Sequence, residues 1–219
     1  METWFKDAKQ LGSLEIETCF LLQDDLYYGP DTHPEVVERK QTEPLVPPSI
    51  NRHVHSMVRT AEVEDNVDEL ARYYTDIIRL GRKHRLPFNH ISHYFWMRFW
   101  IWNTDEDVHI SFPWYDTQAE IDSFIDSVAT TSVGPLFWDA DQGWELEIHA
   151  SDDDLYLRLR DPDYDETHAV VCFPADALLN ELPRLQSRTR LIIDSLSSIV
   201  GRDLWTKRVD WPTFLDDGH

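Results

Sequence analysis

A chain of 219 residues with 20 Lys and Arg against 41 Asp and Glu carries a formal net charge of −21, which excludes the basic footprint of a direct nucleic-acid binder. Its 42% apolar and 12% aromatic residues suffice for a packed core and exclude a disordered acidic tail. The 7 glycines are nowhere spaced as G-x-G-x-x-G or as a P-loop, which excludes the glycine-rich nucleotide sites.

From the N-terminus, Leu14, Ile16, Thr18, Phe20 and Leu22 alternate with Glu15 and Glu17, and predict a half-buried strand over Ser13 to Leu22. Gly29, Pro30 and Pro34 mark a turn-rich stretch over Asp24 to Pro34. Val36 to Gln41 and Val54 to Val63 read as two further strands. Val67, Leu70, Ala71, Tyr74, Ile77, Ile78 and Gly81 keep helical spacing and predict a helix ending at Gly81 or Pro87. His93 to Trp102 is nearly apolar and predicts a strand buried on both faces, followed by a short one over Val108 to Phe112. A second helix carries Ile121, Phe124, Ile125 and Val128, with Thr117 and Glu120 at capping-box spacing. Strands follow over Trp144 to Ala150, Leu155 to Leu159 and Ala169 to Phe173. A third helix begins near Asp176, breaks at Pro183, and resumes through Leu185, Ile192, Leu196 and Ile199 to a cap at Gly201. Thr104 to Asp107, Ser151 to Asp154 and Asp161 to Thr167 read as acidic hairpin tips.

These elements imply an α+β fold, an antiparallel sheet with packed helices. Phe112-Pro113 and Phe173-Pro174 each close a hairpin ahead of a helix. That is either a trace of two related β-hairpin–helix halves or common turn chemistry, since Pro suits a first helical turn. Ala129 to Pro135 reads as a linker. It would divide the chain into residues 1–130, an N-terminal α+β half, and residues 131–219, a meander with a helix, unless the two form a single domain.

Little in the chain points to catalysis. Cys19 and Cys172 are isolated thiols inside strands, which fits a reducing compartment. Met1 to Gly12 has no apolar signal core and no window is long and apolar enough to span a membrane, so the expected location is cytoplasmic. His53-x-His55 and His90-x-x-His93 are histidine pairs without a third ligand at zinc-site spacing. Asp161-x-Asp163-x-Asp165 opens like a calcium loop, but Glu166 and Cys172 stand where Gly and Glu are required. We expect no cofactor, no metal and no enzyme activity.

The charge is uneven. Residues 1–103 hold 16 acids and 12 bases, whereas residues 105–166 hold 18 acids and only Arg158 and Arg160. Solubility alone does not explain that concentration; a basic protein partner does, because complementary fields speed encounter. The basic cluster Arg79, Arg82, Lys83 and Arg85 reads as charges complementing a helix C-terminus, with an anion site or a contact to the chain's own acids as alternatives. Candidate partner-binding residues are Asp105, Glu106, Asp107, Asp139, Asp141, Asp161, Asp163 and Asp165, with Trp114 and Trp138 as aromatic anchors. If the repeat is real, the tips at Asp105 to Asp107 and Asp161 to Glu166 share one end of a sheet, and Asp152 to Asp154 close the other.

In size, acidity and lack of catalytic motifs the chain resembles, as a class, the immunity proteins of bacterial toxin systems. The resemblance has no specific motif and carries over no residue. It implies a cytoplasmic protein that neutralises a basic toxin, and the net charge of −21, which opposes self-association, implies a monomer or weak dimer when alone. The element order is also similar to that of small secretion chaperones, which hold peptides on a sheet edge or groove. A hydrolase using histidines and carboxylates is the third reading.

Overall fold

Strand alternation and helical spacing sort the chain into an α+β fold of antiparallel sheets with helices packed on them. The computed structural model describes residues 3–29, 41–112, 116–130, 133–141 and 143–208. A 3-10 turn at Thr3–Asp7 precedes β1 (Lys9–Gln10), β2 (Glu15–Leu21), β3 (Asp25–Tyr27), β4 (Thr42–Pro44) and β5 (Met57–Arg59). Helices α1 (Thr60–Val63), α2 (Val67–Lys83) and α3 (Phe88–Ile91) lead through a 3-10 turn at Ser92–Phe95 to β6 (Met97–Asn103) and β7 (Val108–Ser111). Then come α4 (Gln118–Thr130), β8 (Gly134–Asp141), β9 (Trp144–Ser151), β10 (Asp154–Asp161), β11 (Glu166–Pro174), α5 (Ala175–Leu179) and α6 (Leu182–Val200).

The chain forms two compact units, Met1–Thr18 with Arg98–Arg188, and Cys19–Met97 with Thr189–His219. This differs from a division at residue 130. In the first unit Phe137 of β8 closes on Phe112 and Phe124, with ring centroids 5.2 and 5.8 Å away. That aromatic packing joins residues on either side of the expected boundary.

The first unit is built on a five-stranded sheet in the order β1-β11-β10-β9-β8, antiparallel except for β1 on β11. Leu157 pairs with Ile148 and Leu159 with Leu146, so the apolar residues of β9 and β10 share one face. Ile121, Phe124, Ile125 and Val128 are the buried stripe of α4. The other face carries Glu145, Glu147, His149, Tyr156, Arg158 and Arg160. The Thr3–Asp7 turn lies on part of it, with Phe5 stacked on Tyr156 at 4.2 Å and Trp4 edge-on to His149 at 5.9 Å. β6 and β7 pair antiparallel in this unit, and Asn103 donates to the Ser13 carbonyl at 2.7 Å.

In the second unit α2 buries Leu70, Ala71, Tyr73, Tyr74, Ile77 and Leu80. Tyr74 meets Phe95 and the fully buried Trp205 at 5.2 and 5.1 Å between ring centroids. Two tyrosines tie loops down through both their hydroxyl functions. Tyr73 accepts from the Gln23 amide and donates to its carbonyl, and Tyr94 does the same for Tyr27 and Asp25.

Several elements differ from expectation. Helix α2 runs through Gly81 to Lys83, because Gly81 is buried and interior and Pro87 stands beyond it. His93 to Trp96 is not strand. Pro87 opens a helical turn with its extended backbone, and the strand begins only at Met97. Of Val54 to Val63, only Met57–Arg59 is strand, and Thr60–Val63 is helix, with the Arg59 amide donating to Glu62 at 2.8 Å. The expected linker is mostly structured, since α4 reaches Thr130 and β8 begins at Gly134. The hairpin–helix order does recur, as β6-β7-α4 and β10-β11-α5, but the two hairpins belong to different sheets. Residues 30–40, with the end of the turn-rich stretch and most of the strand expected at Val36 to Gln41, lie outside the described residues.

Glu17 was expected on a solvated face and is instead 4% exposed. Its carboxylate accepts two bonds from Arg188 Nη2, at 2.8 and 3.0 Å. Burial of a carboxylate demands such a partner, and a charge left behind costs more than the pair is worth. Arg188→Met should therefore lower unfolding free energy by about 3–5 kcal/mol. Glu17→Met combined with Arg188→Met should recover most of that loss, read from urea denaturation midpoints.

Candidate functional site

Strand direction decides which turns meet. In the antiparallel run β8-β9-β10-β11, the β8–β9 and β10–β11 turns lie at one end and the β9–β10 turn at the other. At the first end the Gly143 amide donates to Asp163 Oδ2 at 3.0 Å, which braces one turn against the next. Gly143 has φ of +67°, and a Cβ there would sit 3.4 Å from Asp161 Oδ2. Asp161 Oδ1 accepts the amides of Asp163 and Tyr164 at 2.9 and 3.3 Å. Asp165 takes a left-handed φ of 52°, which Asp tolerates. On β8, Asp139 Oδ1 accepts the Ala140 amide at 2.8 Å and Asp141 is exposed.

This sheet end therefore gathers Asp139, Asp141, Asp161, Asp163 and Asp165 from the expected set. Among the described residues no Lys or Arg lies within ion-pair distance of Asp161, Asp163 or Asp165. The two arginines of the acidic segment are engaged elsewhere on the sheet. Arg158 Nε donates to Glu147 at 2.8 Å, and Arg160 Nε donates to Glu145. Both pairs are direct cross-strand neighbours in the β9–β10 ladder.

Trp138 is 64% exposed on the same face as these pairs. Its indole N–H donates to Glu145 Oε1 at 2.9 Å, while Oε2 of that carboxylate is held by Arg160. Burial pushes the Glu145 carboxyl up, but the Arg160 and Trp138 hydrogen bonds and the nearby guanidinium charges outweigh it and hold the group below its ordinary value. Tyr164, at the β10–β11 turn, is 82% exposed. Trp144 is half-buried opposite Asp141, and Trp114 lies outside the described residues.

The tip at Asp105, Glu106 and Asp107 does not join this group. It connects β6 to β7, and Glu106 pairs with Lys9. Lys9 stands beside Val171, five residues along β11 from Glu166, or about 17 Å from the acidic turns at 3.3 Å per residue. The shared end expected for these two tips is not formed, because their hairpins belong to different sheets. Asp107 also has His109 Nε2 within 3.3 Å. The turn at Asp152 to Asp154 closes the far end as expected, and there the Asp153 carbonyl accepts the Ala175 amide at the start of α5, 2.7 Å away.

Sequence reading missed Tyr164 and the Glu145–Arg160 and Glu147–Arg158 ladder. The ladder was legible in principle. Folding a hairpin about a two-residue Asp152-Asp153 turn places Ser151 opposite Asp154, and the same count sets 147 against 158 and 145 against 160. The remaining titratable clusters have plainer roles. Lys83 and His84 converge on Glu43, with His84 Nε2 at 2.6 Å, and Arg79 pairs with Asp76. His55 faces Asp24 at 3.3 Å on the surface. Cys19 and Cys172 are buried and not joined in a disulfide, and burial raises the pKa of Cys172, whose Sγ donates to Gln10 at 3.0 Å. Among the described residues no group of three or more His, Cys, Asp or Glu is placed to hold a metal ion, and no helix is long and apolar enough to cross a membrane. No protein-family model, curated protein or solved structure matches the chain.

Because Glu145 is held below its ordinary value of 4.5, it stabilises the fold fully above that pH, and the contribution disappears as pH falls through the folded value. Wild type should exceed Glu145→Gln in stability at pH 7. The gap should close on acidification below 4.5, followed by urea unfolding at several pH values.

Proposed function

We propose that the chain is a non-enzymatic acidic binding protein that neutralises a basic protein partner, in the manner of an immunity protein against a bacterial toxin. The observation that supports this reading most is the sheet end bearing Asp161, Asp163 and Asp165 with no Lys or Arg within ion-pair distance among the described residues, near the exposed Tyr164 and Trp138. Acid concentrated on a braced, solvated rim attracts a basic surface from a distance, and aromatic side chains next to it supply contact area once water is excluded. In this reading the protein works in the cytoplasm, needs no cofactor, and is a monomer or weak dimer until it meets its partner.

A secretion-type chaperone that adds a peptide strand to the sheet edge is the second reading. The edge strand β8 is poorly suited to it. Pro135 has no amide hydrogen, the register shifts between Pro135 and Phe137, and Asp139 occupies the Ala140 amide. Each of these blunts an edge against strand addition. A metal-dependent hydrolase is the least supported, since no ligand cluster among the described residues speaks for it.

The test uses the toxin-like product of a neighbouring reading frame as binding partner. Asn keeps the turn conformations and removes the charge, so the triple change Asp161→Asn, Asp163→Asn and Asp165→Asn leaves the fold intact. At low salt it should slow association by on the order of tenfold, and the difference should shrink as salt rises. The same treatment of Asp152, Asp153 and Asp154 should do less. Equal effects at both ends would reduce the result to net charge, and association insensitive to salt would overturn the acidic-face reading.

A further inference from the structure

We propose that Trp138 is the seat of a partner arginine, whose guanidinium stacks on the indole while neighbouring basic residues of the same surface lie over the acidic turns. This rests on the acidic-face reading above and names the chemistry that the face selects.

The indole is fixed before any partner arrives. Its only donor is already bonded to Glu145, a residue 7% exposed whose second oxygen is held by Arg160. Trp138 therefore offers a partner no hydrogen bond. It offers the surface of a ring, and a ring face carries negative electrostatic potential. An acidic or neutral polar group gains nothing there. A lone exposed aromatic beside Ala140 is also no groove for an apolar segment. The net charge of −21 completes the selection in favour of a cation.

The same sheet face already contains the arrangement in finished form. The Arg158 guanidinium carbon lies 5.1 Å from the centroid of the Trp4 ring, while its Nε donates to Glu147. Carboxylate, guanidinium and indole are thus assembled inside the molecule. Trp138 stands on the other side of Glu147, as its cross-strand neighbour. Here too there is a carboxylate and an indole, but among the described residues no cation sits over the ring, because Arg160 is drawn to Glu145. The third member has to come from outside.

Arginine fits better than lysine on physical grounds. Guanidinium is planar and weakly hydrated, so it stacks on a ring and still presents edge N–H groups to carboxylates, whereas ammonium is compact and holds its water. Trp138 lies three residues from Asp141 along β8, about 10 Å from the turn. A basic surface that places arginine on the indole thus sets its next positive groups over Asp161, Asp163 and Asp165.

The experiment titrates the full chain with hexa-arginine and with hexa-lysine at low salt, by calorimetry, following the indole N–H resonances. Wild type should bind hexa-arginine roughly three- to fivefold more tightly than hexa-lysine, within the range of an exposed cation–π contact. Trp138→Leu should bind the two equally, with hexa-lysine affinity nearly unchanged. Trp138→Phe, which keeps a ring, should restore part of the preference and shows that the leucine variant has not simply lost its fold. If wild type binds both peptides equally, or if Trp138→Leu weakens both alike, the arginine seat is overturned while the acidic face stands. If neither peptide binds at low salt, the acidic face falls and the arginine seat with it.

Discussion

The acidic stretch from residue 105 to 166 contains only two positive side chains, Arg158 and Arg160, against 18 acids, and their placement constrains everything around them. Both lie on β10, two residues apart, and so on one face of the sheet. The register sets them against Glu147 and Glu145. A slip of one residue would carry the arginines into the leucine face of the sheet and move Leu155, Leu157 and Leu159 into water. Apolar pairing on one face and ionic pairing on the other therefore specify the same register. The consequence is that both arginines of this stretch pair with glutamates of the ladder, and among the described residues no Lys or Arg lies within ion-pair distance of Asp161, Asp163 or Asp165.

Turn geometry accounts for where the aspartates are, though not for their charge. Asp107, Asp152 and Asp165 each occupy a left-handed position, one in each of the three acidic hairpin tips. Asp161 and Asp163 satisfy turn amides with their carboxylates. Asn or Gly would meet the left-handed requirement equally well, and Asn would accept the same amide bonds. Choosing the charged residue each time adds self-repulsion with no gain in turn stability. One of the three tips has a cation to offset this, since Glu106 pairs with Lys9. The β8–β9 and β10–β11 turns are joined through Gly143 and Asp163, and Glu166 has His168 at 4.0 Å, but among the described residues no Lys or Arg lies within ion-pair distance of Asp161, Asp163 or Asp165.

How much of this was readable depended on whether a local pattern matched the environment that the fold supplied. The leucine alternation of β10, the spacing of α2 and the stripe of α4 are strong periodic signals, and they became the elements they predict. So did the Thr117–Glu120 cap, of which the Glu120 carboxylate on the Thr117 amide is formed at 2.8 Å. Glu17 was misjudged because alternation marks a face as polar without saying that Arg188, 171 residues away, will bury it. His93 to Trp96 was misjudged because aromatic content favours strand, whereas Pro87 and the Tyr94 hydroxyl bonds favour a helical turn. β8 was hidden by Gly134 and Pro135, which look like linker and serve as an irregular edge. The acidic turns and Trp138 were visible as candidates. What the sequence did not disclose was which tips share an end, since that follows from sheet membership and not from the spacing of Phe-Pro pairs.

Rigidity at the acidic end bears on the kind of partner. Surfaces that accept many sequences tend to be built from flexible, methionine-rich or mobile elements that repack around each ligand. Here Met57 and Met97 are buried, and the exposed anchors are an indole pinned by a buried carboxylate and a tyrosine on a braced turn. A site already held in one geometry loses little entropy on binding and rejects surfaces that do not match it. Within the binding reading proposed above, that favours one folded partner with positive charge in a fixed arrangement over a succession of extended peptides. The blunted edge strand fits the same reading, in which turns and a fixed ring meet the partner, no pairing edge is used, and an open edge would invite strand addition by other copies.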